Sequence, residues 1–169
     1  MNVHIAHVSE PSTPAQSIRL VLPYPISSNR YWDYRILPAK GGRPAMALKY
    51  TTALAKAFKQ DVQLLALRAG VRKPIEGRYA LQIELYPHRP LDYAKRARKD
   101  ADGWEDTVQC IDLGNCEKVL SDALNGIAWV DDKMARDIHL LRMTPDEHGA
   151  RVVVTITPII TAPIAPGLF

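Results

Sequence analysis

The stretch "CIDLGNCEKVLSDALNGIAWVDD", from Cys110 to Asp132, limits the possible folds more than any other part of the chain. At about 100° per residue, Leu113, Cys116, Val119, Leu120, Ala123 and Leu124 share one face of a helix, with Gly114, Lys118, Ser121 and Asn125 opposite. Asp112 stands at the N-cap position, where a carboxylate accepts from the first free amides, and Asn125-Gly126 supplies a stop. A helix with so short a polar face has to bury most of its girth against a larger layer. Capping accounts for Asp112. It does not account for Lys118, which projects on the side of position 114 one turn later, or for the adjacent Asp131 and Asp132 beyond the helix.

Other segments supply that layer. "YALQIELYP" alternates Leu81, Ile83 and Leu85 with Gln82 and Glu84, the period of a strand with one buried face. "SIRLVLPYP" is a strand closed by Pro23 and Pro25, and "ARDIHLLRM" and "ARVVVTITP" read as two strands joined into a hairpin by "TPDEHG". From Ala45 to Ala69, Leu48, Thr51, Ala55, Phe58, Val62 and Leu65 recur at three and four, which predicts one long amphipathic helix. "ISSNRYWDYRILPAKGGRP" reads as a long basic loop with interleaved aromatics, and a second basic loop runs up to Ile111. No internal repeat is present. Residues 1–16 read as a loose leader and the proline-rich 159–169 as a tail, leaving 17–158 as the folded domain.

With 169 residues, 47% of them hydrophobic, the chain can bury one core without covalent staples. Cys110 and Cys116 have no histidine cluster beside them, so both are expected reduced and packed rather than in a disulfide or zinc site. No apolar stretch approaches the ~20 residues that span a bilayer, and a cytoplasmic protein without membrane attachment is expected.

The formal charge of +4 matters less than its distribution. Arg30, Arg35, Lys40, Arg43 and Lys49 form one basic segment, and Arg89, Lys95, Arg96, Arg98 and Lys99 a second. They flank a stretch holding Asp102, Glu105, Asp106 and Asp112. A polyanion drawn to the bases would be repelled by bare carboxylates unless a cation lay between them, the arrangement a metal-dependent nuclease requires. Solvated loops are the plainer alternative for the same charge runs.

In order, "LPYPISSNRYW", "DLGNCEK", "SDALNG" and "AWVDD" resemble the pattern of the RusA family of Holliday junction resolvases, over roughly Ile18 to Pro158. The resemblance implies an α+β fold, a mixed sheet of about four strands packed against two main helices. It also implies an endonuclease that cuts four-way DNA junctions as a C2 homodimer with Mg²⁺ or Mn²⁺. On this pattern Asp112 and Asp132 coordinate metal, and Lys118 stabilises developing charge or orients the attacking water. Asn115 supports the carboxylates. Asp131 is either an auxiliary ligand or a turn residue, and Asp122 is structural. DNA contacts fall on Asn29, Arg30, Tyr31, Arg35, Lys95, Arg96 and Arg98, with Tyr31, Trp32, Tyr34 and Trp104 able either to stack on opened bases or to pack on their own loops. The sequence departs from the pattern at Gly114, where the family has a second aspartate. Three outcomes stay open: one metal on Asp112 and Asp132; a substitute carboxylate from Glu117, Asp106 or Asp131; or a relative that binds branched DNA without cutting it.

Overall fold

The computed structural model describes residues 16–160, so the expected leader and tail lie outside the described residues except for Gln16, Ile159 and Ile160. Strand β1 (Ile18–Pro23) leads through Pro23 and Pro25 into a one-turn helix α1 (Ser28–Tyr31), capped by the Ser27 hydroxyl. Strands β2 (Trp32–Leu37) and β3 (Met46–Thr51) precede helix α2 (Ala53–Arg68) and strand β4 (Tyr79–Tyr86). Next come α3 (Tyr93–Lys99), a 3₁₀ turn at Trp104–Thr107, and α4 (Leu113–Leu124). A second 3₁₀ turn, Asp132–Met134, opens into β5 (Ala135–Arg142), and β6 (Arg151–Pro158) follows.

Four strands form one mixed sheet in the order β1-β6-β4-β5, and β2 and β3 form a separate two-stranded ribbon. The α+β architecture expected from the sequence is therefore present. Tyr79, Leu81, Ile83 and Leu85 of β4 are buried, as are Leu20 and Leu22 of β1 and Val152, Val154 and Ile156 of β6. They share one core with Ala55, Phe58, Val62 and Ala66 of α2 and with Cys116, Val119, Leu120, Ala123 and Leu124 of α4. Trp129, fully buried, stacks on Tyr79 with ring centroids 4.9 Å apart.

Four expectations change. The helix predicted over Ala45–Ala69 starts only at Ala53, where the Thr52 hydroxyl accepts from the Ala55 amide at 3.2 Å. Met46–Thr51 before it pairs antiparallel with Trp32–Leu37, so the first basic "loop" is mostly a β-ribbon. Its turn is Gly41-Gly42, both at positive φ (58° and 79°), closed by reciprocal Lys40–Arg43 backbone bonds of 3.2 Å. Two glycines at that spacing are what a two-residue hairpin turn needs, and "KGGR" is the local signal for it. The second basic "loop" likewise contains a helix, α3.

The last two strands do not form a hairpin, because β4 lies between them. β4 runs parallel to β5 and antiparallel to β6. A parallel neighbour needs a long crossover, and the segment carrying α3 and α4 provides it. Burial separates the two strands. Val152, Val153 and Val154 are all buried in β6, as in a central strand, whereas β5 exposes Arg136, Asp137, His139 and Arg142, polar and charged side chains suited to an edge.

Candidate nucleic-acid interface and active site

Asp112 does cap α4: its Oδ1 accepts from the Asn115 amide at 2.7 Å and its Oδ2 from the Asn115 side-chain amide. The Ser28 hydroxyl donates in turn to Asn115 Oδ1, which ties α1 to the start of α4. One residue upstream, the Ile111 amide donates at 3.0 Å to the Tyr24 hydroxyl, and that hydroxyl donates to Cys110 Sγ at 3.5 Å. Burial, followed by the bond to Cys110, pushes the Tyr24 phenol up to about 12. The Pro-Tyr-Pro element after β1 thus fastens the backbone that delivers Asp112. Both cysteines are free thiols, Cys110 half-buried and Cys116 buried, with Cys116 pushed up to about 12 by desolvation first.

Gly114 lies on the exposed side of α4. A Cβ built there would meet only Asp112 Oδ1, at an ordinary 3.6 Å, and the backbone is helical. A side chain at 114 would therefore sit beside the Asp112 carboxylate in open space. One turn on, exposed Lys118 faces the ribbon, its Nζ 5.1 Å from the Trp32 ring centroid. No carboxylate lies within ion-pair distance of it among the described residues. Lys49 Nζ approaches the same ring at 4.4 Å. Exposed cation–π contacts of this kind contribute about 0.5–1 kcal/mol. Lys118, Lys49, Trp32, Tyr34, Asn29 and Asp33 line an open cleft of about 370 Å³.

The acidic pair beyond α4 divides into two roles. Asp131 caps the turn that follows, accepting from the Lys133 amide at 3.0 Å and pairing with Lys133 Nζ at 2.7 Å. The Lys133 contact holds the Asp131 carboxyl below its usual range. Asp132, exposed, starts the 3₁₀ turn. Burial pushes the Tyr79 hydroxyl well above its ordinary value, and the charges of Asp132, Glu117 and Asp131, in that order, push it further. All three charges are felt at the Tyr79 hydroxyl. Glu117, on α4, accepts from Ser121 Oγ at 2.6 Å.

Among the described residues, no three His, Cys, Asp or Glu side chains converge closely enough to hold a metal ion. A closed protein cage is therefore not present. Mg²⁺ commonly takes one or two carboxylates and completes its shell with water and substrate phosphates. The exposed, oxygen-only donors Asp112 and Asp132 suit that manner of binding.

The expected DNA-contact residues separate by exposure. Asn29, Arg30, Arg35, Lys95 and Arg98 are exposed. Arg96 is half-buried and engaged, its Nε donating to Asp92 Oδ1 at 2.9 Å and its Nη1 to Thr107 Oγ1 at 2.9 Å, so it braces α3 on the following turn. Tyr31 does not belong on the surface: it is 0% exposed, its hydroxyl donates to Asp122, and burial drives its pKa well up. Its place is the core, and Asp122 is structural as its partner. Trp104 tilts against Tyr93 of its own segment at 6.3 Å. Lys49 is missing from the expected contacts because the apolar spacing around it predicts helix, which hides its place on the ribbon.

Among the described residues no helix is long and apolar enough to cross a membrane. Comparison with curated proteins finds no match. The family model for endodeoxyribonuclease RusA matches residues 23–157, from the Pro-Tyr-Pro element through to β6 and across every feature of the site just described. On that match the chain belongs to the RusA family of endodeoxyribonucleases, nucleases that act on Holliday junctions.

Proposed function

We propose that this chain resolves four-way DNA junctions by metal-dependent phosphodiester hydrolysis, as a C2 homodimer whose two sites cut symmetry-related strands. One observation carries the reading: the Asp112 carboxylate at the N-cap of α4 lies beside the open position 114, and the carboxylate-free Lys118 projects one turn on from 114, toward a basic ribbon. Arg30, Arg35, Lys95 and Arg98 attract the phosphate backbone, a salt-dependent attraction without base readout. Asn115, itself held by Ser28, fixes the Asp112 carboxylate so that no reorganisation is needed when a phosphate arrives. Lys118 brings an unneutralised ammonium to the phosphoryl oxygens or the leaving oxygen. The Asp131–Lys133 pair stiffens the turn that presents Asp132, which favours a turn role for Asp131 over an auxiliary ligand. Mg²⁺ or Mn²⁺ on Asp112 and Asp132, when bound, supplies charge neutralisation and an acidified water.

A second reading has its own support. Gly114 and the lack of any converging three-carboxylate group among the described residues favour a relative that binds branched DNA and leaves it intact. A labelled synthetic junction, incubated with and without Mg²⁺ and run on a denaturing gel, separates the two. Paired nicks that need the ion and fall about 10²-fold in Lys118→Ala support the resolvase. A shifted band with uncut strands in every divalent ion supports the binder. Gly114→Asp adds a carboxylate next to Asp112 without steric conflict and is expected to tighten Mg²⁺ binding in calorimetry. Unchanged binding would show that position 114 does not face the ion.

A further inference from the structure

The cleft between the ribbon and α4 has a feature that phosphate binding does not require, an aromatic ring approached by two ammonium groups. We propose that this cleft is a receptor for one unpaired nucleotide, extruded from the DNA and stacked on Trp32, with Lys49 and Lys118 on the phosphates that flank it. The inference rests on the DNA reading above and deepens it.

Four observations converge. The volume, about 370 Å³, falls in the lower part of the range for small-molecule sites and is suited to a single nucleotide rather than a helix. Trp32 is half-exposed, and its tilted contact with buried Tyr31, centroids 4.5 Å apart, anchors the ring from the core side. Stacking of a base on an aromatic ring is comparable to the two exposed cation–π contacts it replaces, and the nucleotide's phosphates draw the ammonium groups off the ring, so an arriving base can displace them. The displaced charges then lie where the nucleotide's own phosphates must run. The walls also carry hydrogen-bonding groups, the Asn29 amide and the Asp33 carboxylate, the latter held by the Tyr34 amide at 2.7 Å and the Tyr50 hydroxyl at 3.0 Å.

Lys118 belongs both to this cleft and to the exposed α4 face of position 114, which the Asp112 carboxylate adjoins. An extruded nucleotide here would set the strand's register against that face. Fully paired duplex keeps its bases stacked and cannot fill the cleft, so the receptor selects for junctions, gaps and flaps, where unstacking is easiest.

The test uses a four-way junction with 2-aminopurine at the crossover, titrated with the whole protein in EDTA so that cutting plays no part. Wild type is expected to quench the probe by stacking, Trp32→Ala to leave it bright, and Trp32→Phe to restore quenching. The affinity ratio of junction over linear duplex is expected to fall about tenfold in Trp32→Ala and to recover in Trp32→Phe. Equal quenching by wild type and Trp32→Ala, or an unchanged ratio, overturns the receptor even if the junction is bound and cut. Failure of wild type to bind any DNA overturns the nucleic-acid reading and the receptor with it. Quenching without cleavage in a parallel Mg²⁺ assay upholds the receptor and removes only the catalytic reading.

Discussion

The β2–β3 ribbon and strand β4 are both β-structure, yet they handle solvent in opposite ways. Along β4 every second residue, Tyr79, Leu81, Ile83 and Leu85, is buried beneath the helices. In the ribbon, Tyr34, Ile36, Met46, Leu48 and Tyr50 are all exposed, Ile36 to 74%, and the cross-strand pairing puts them on both faces. An isolated two-stranded ribbon is marginal in water, and this one is held mainly at its root, where the Thr52 amide donates to Tyr31 O at 3.0 Å. Apolar and basic side chains left outside in this way suit the DNA-contact surface proposed for the ribbon. The β4 layer and α4 provide rigidity, and in the proposed function the ribbon provides contact.

Mutations can break that division or sharpen it. Leu120→Ala, in the buried face of α4, is expected to destabilise the fold by about 2–5 kcal/mol, whereas Ile36→Ala in the ribbon stays within about 0.5 kcal/mol. Urea titration of both checks this, and a comparable loss in Ile36→Ala would place the ribbon in the folding core.

Asp112 tests whether one residue can serve both regions. Replacing it with Ala removes the cap and is expected to cost about 1 kcal/mol, while Asn retains the cap and loses only the charge. Thermal melts should rank Asp112→Asn near wild type and Asp112→Ala below it, with junction cleavage lost in both. Cleavage surviving in the Asn variant would remove Asp112 from the chemistry.

Lys49→Gln is expected to leave stability unchanged and to lower the slope of log affinity against log salt by roughly one. An unaltered slope would mean that the ribbon does not touch phosphates.

The smallest effect is expected beside the C-terminal end of β4, at Asp146, which pairs at 2.6 Å with Arg151, the register partner of Tyr86. The Arg151 contact holds its carboxyl down at about 2. Because the folded value lies below the unfolded one, near 3.9, the pair's small stabilisation is present above about pH 4 and fades as pH falls through about 2. Asp146→Asn should therefore melt slightly below wild type at neutral pH and converge with it near pH 2. Melts that stay equally separated at acidic pH would assign the difference to something other than this ion pair.

The α4 segment is legible in the sequence because its signals are local: apolar spacing, a capping aspartate and an Asn-Gly stop with Gly126 at φ 76° all lie within one stretch. Residues 46–51 mislead because a three-and-four apolar pattern also fits exposed strand residues, and only the partner strand distinguishes them. Tyr31 misleads for a related reason, since an aromatic in a basic stretch suggests stacking, whereas its hydroxyl is held by Asp122, 91 residues away.

The sequence by itself determined the fold class, the helix that carries Asp112 and Lys118, and the family, since periodicity, caps and motif order are properties of neighbours along the chain. Tertiary structure alone decided that β4 separates β5 from β6, that Tyr31 is buried on Asp122, and that Lys49 and Lys118 both approach Trp32. Those facts depend on which segments a crossover brings side by side, and burial of the common core makes that choice with little trace in local spacing.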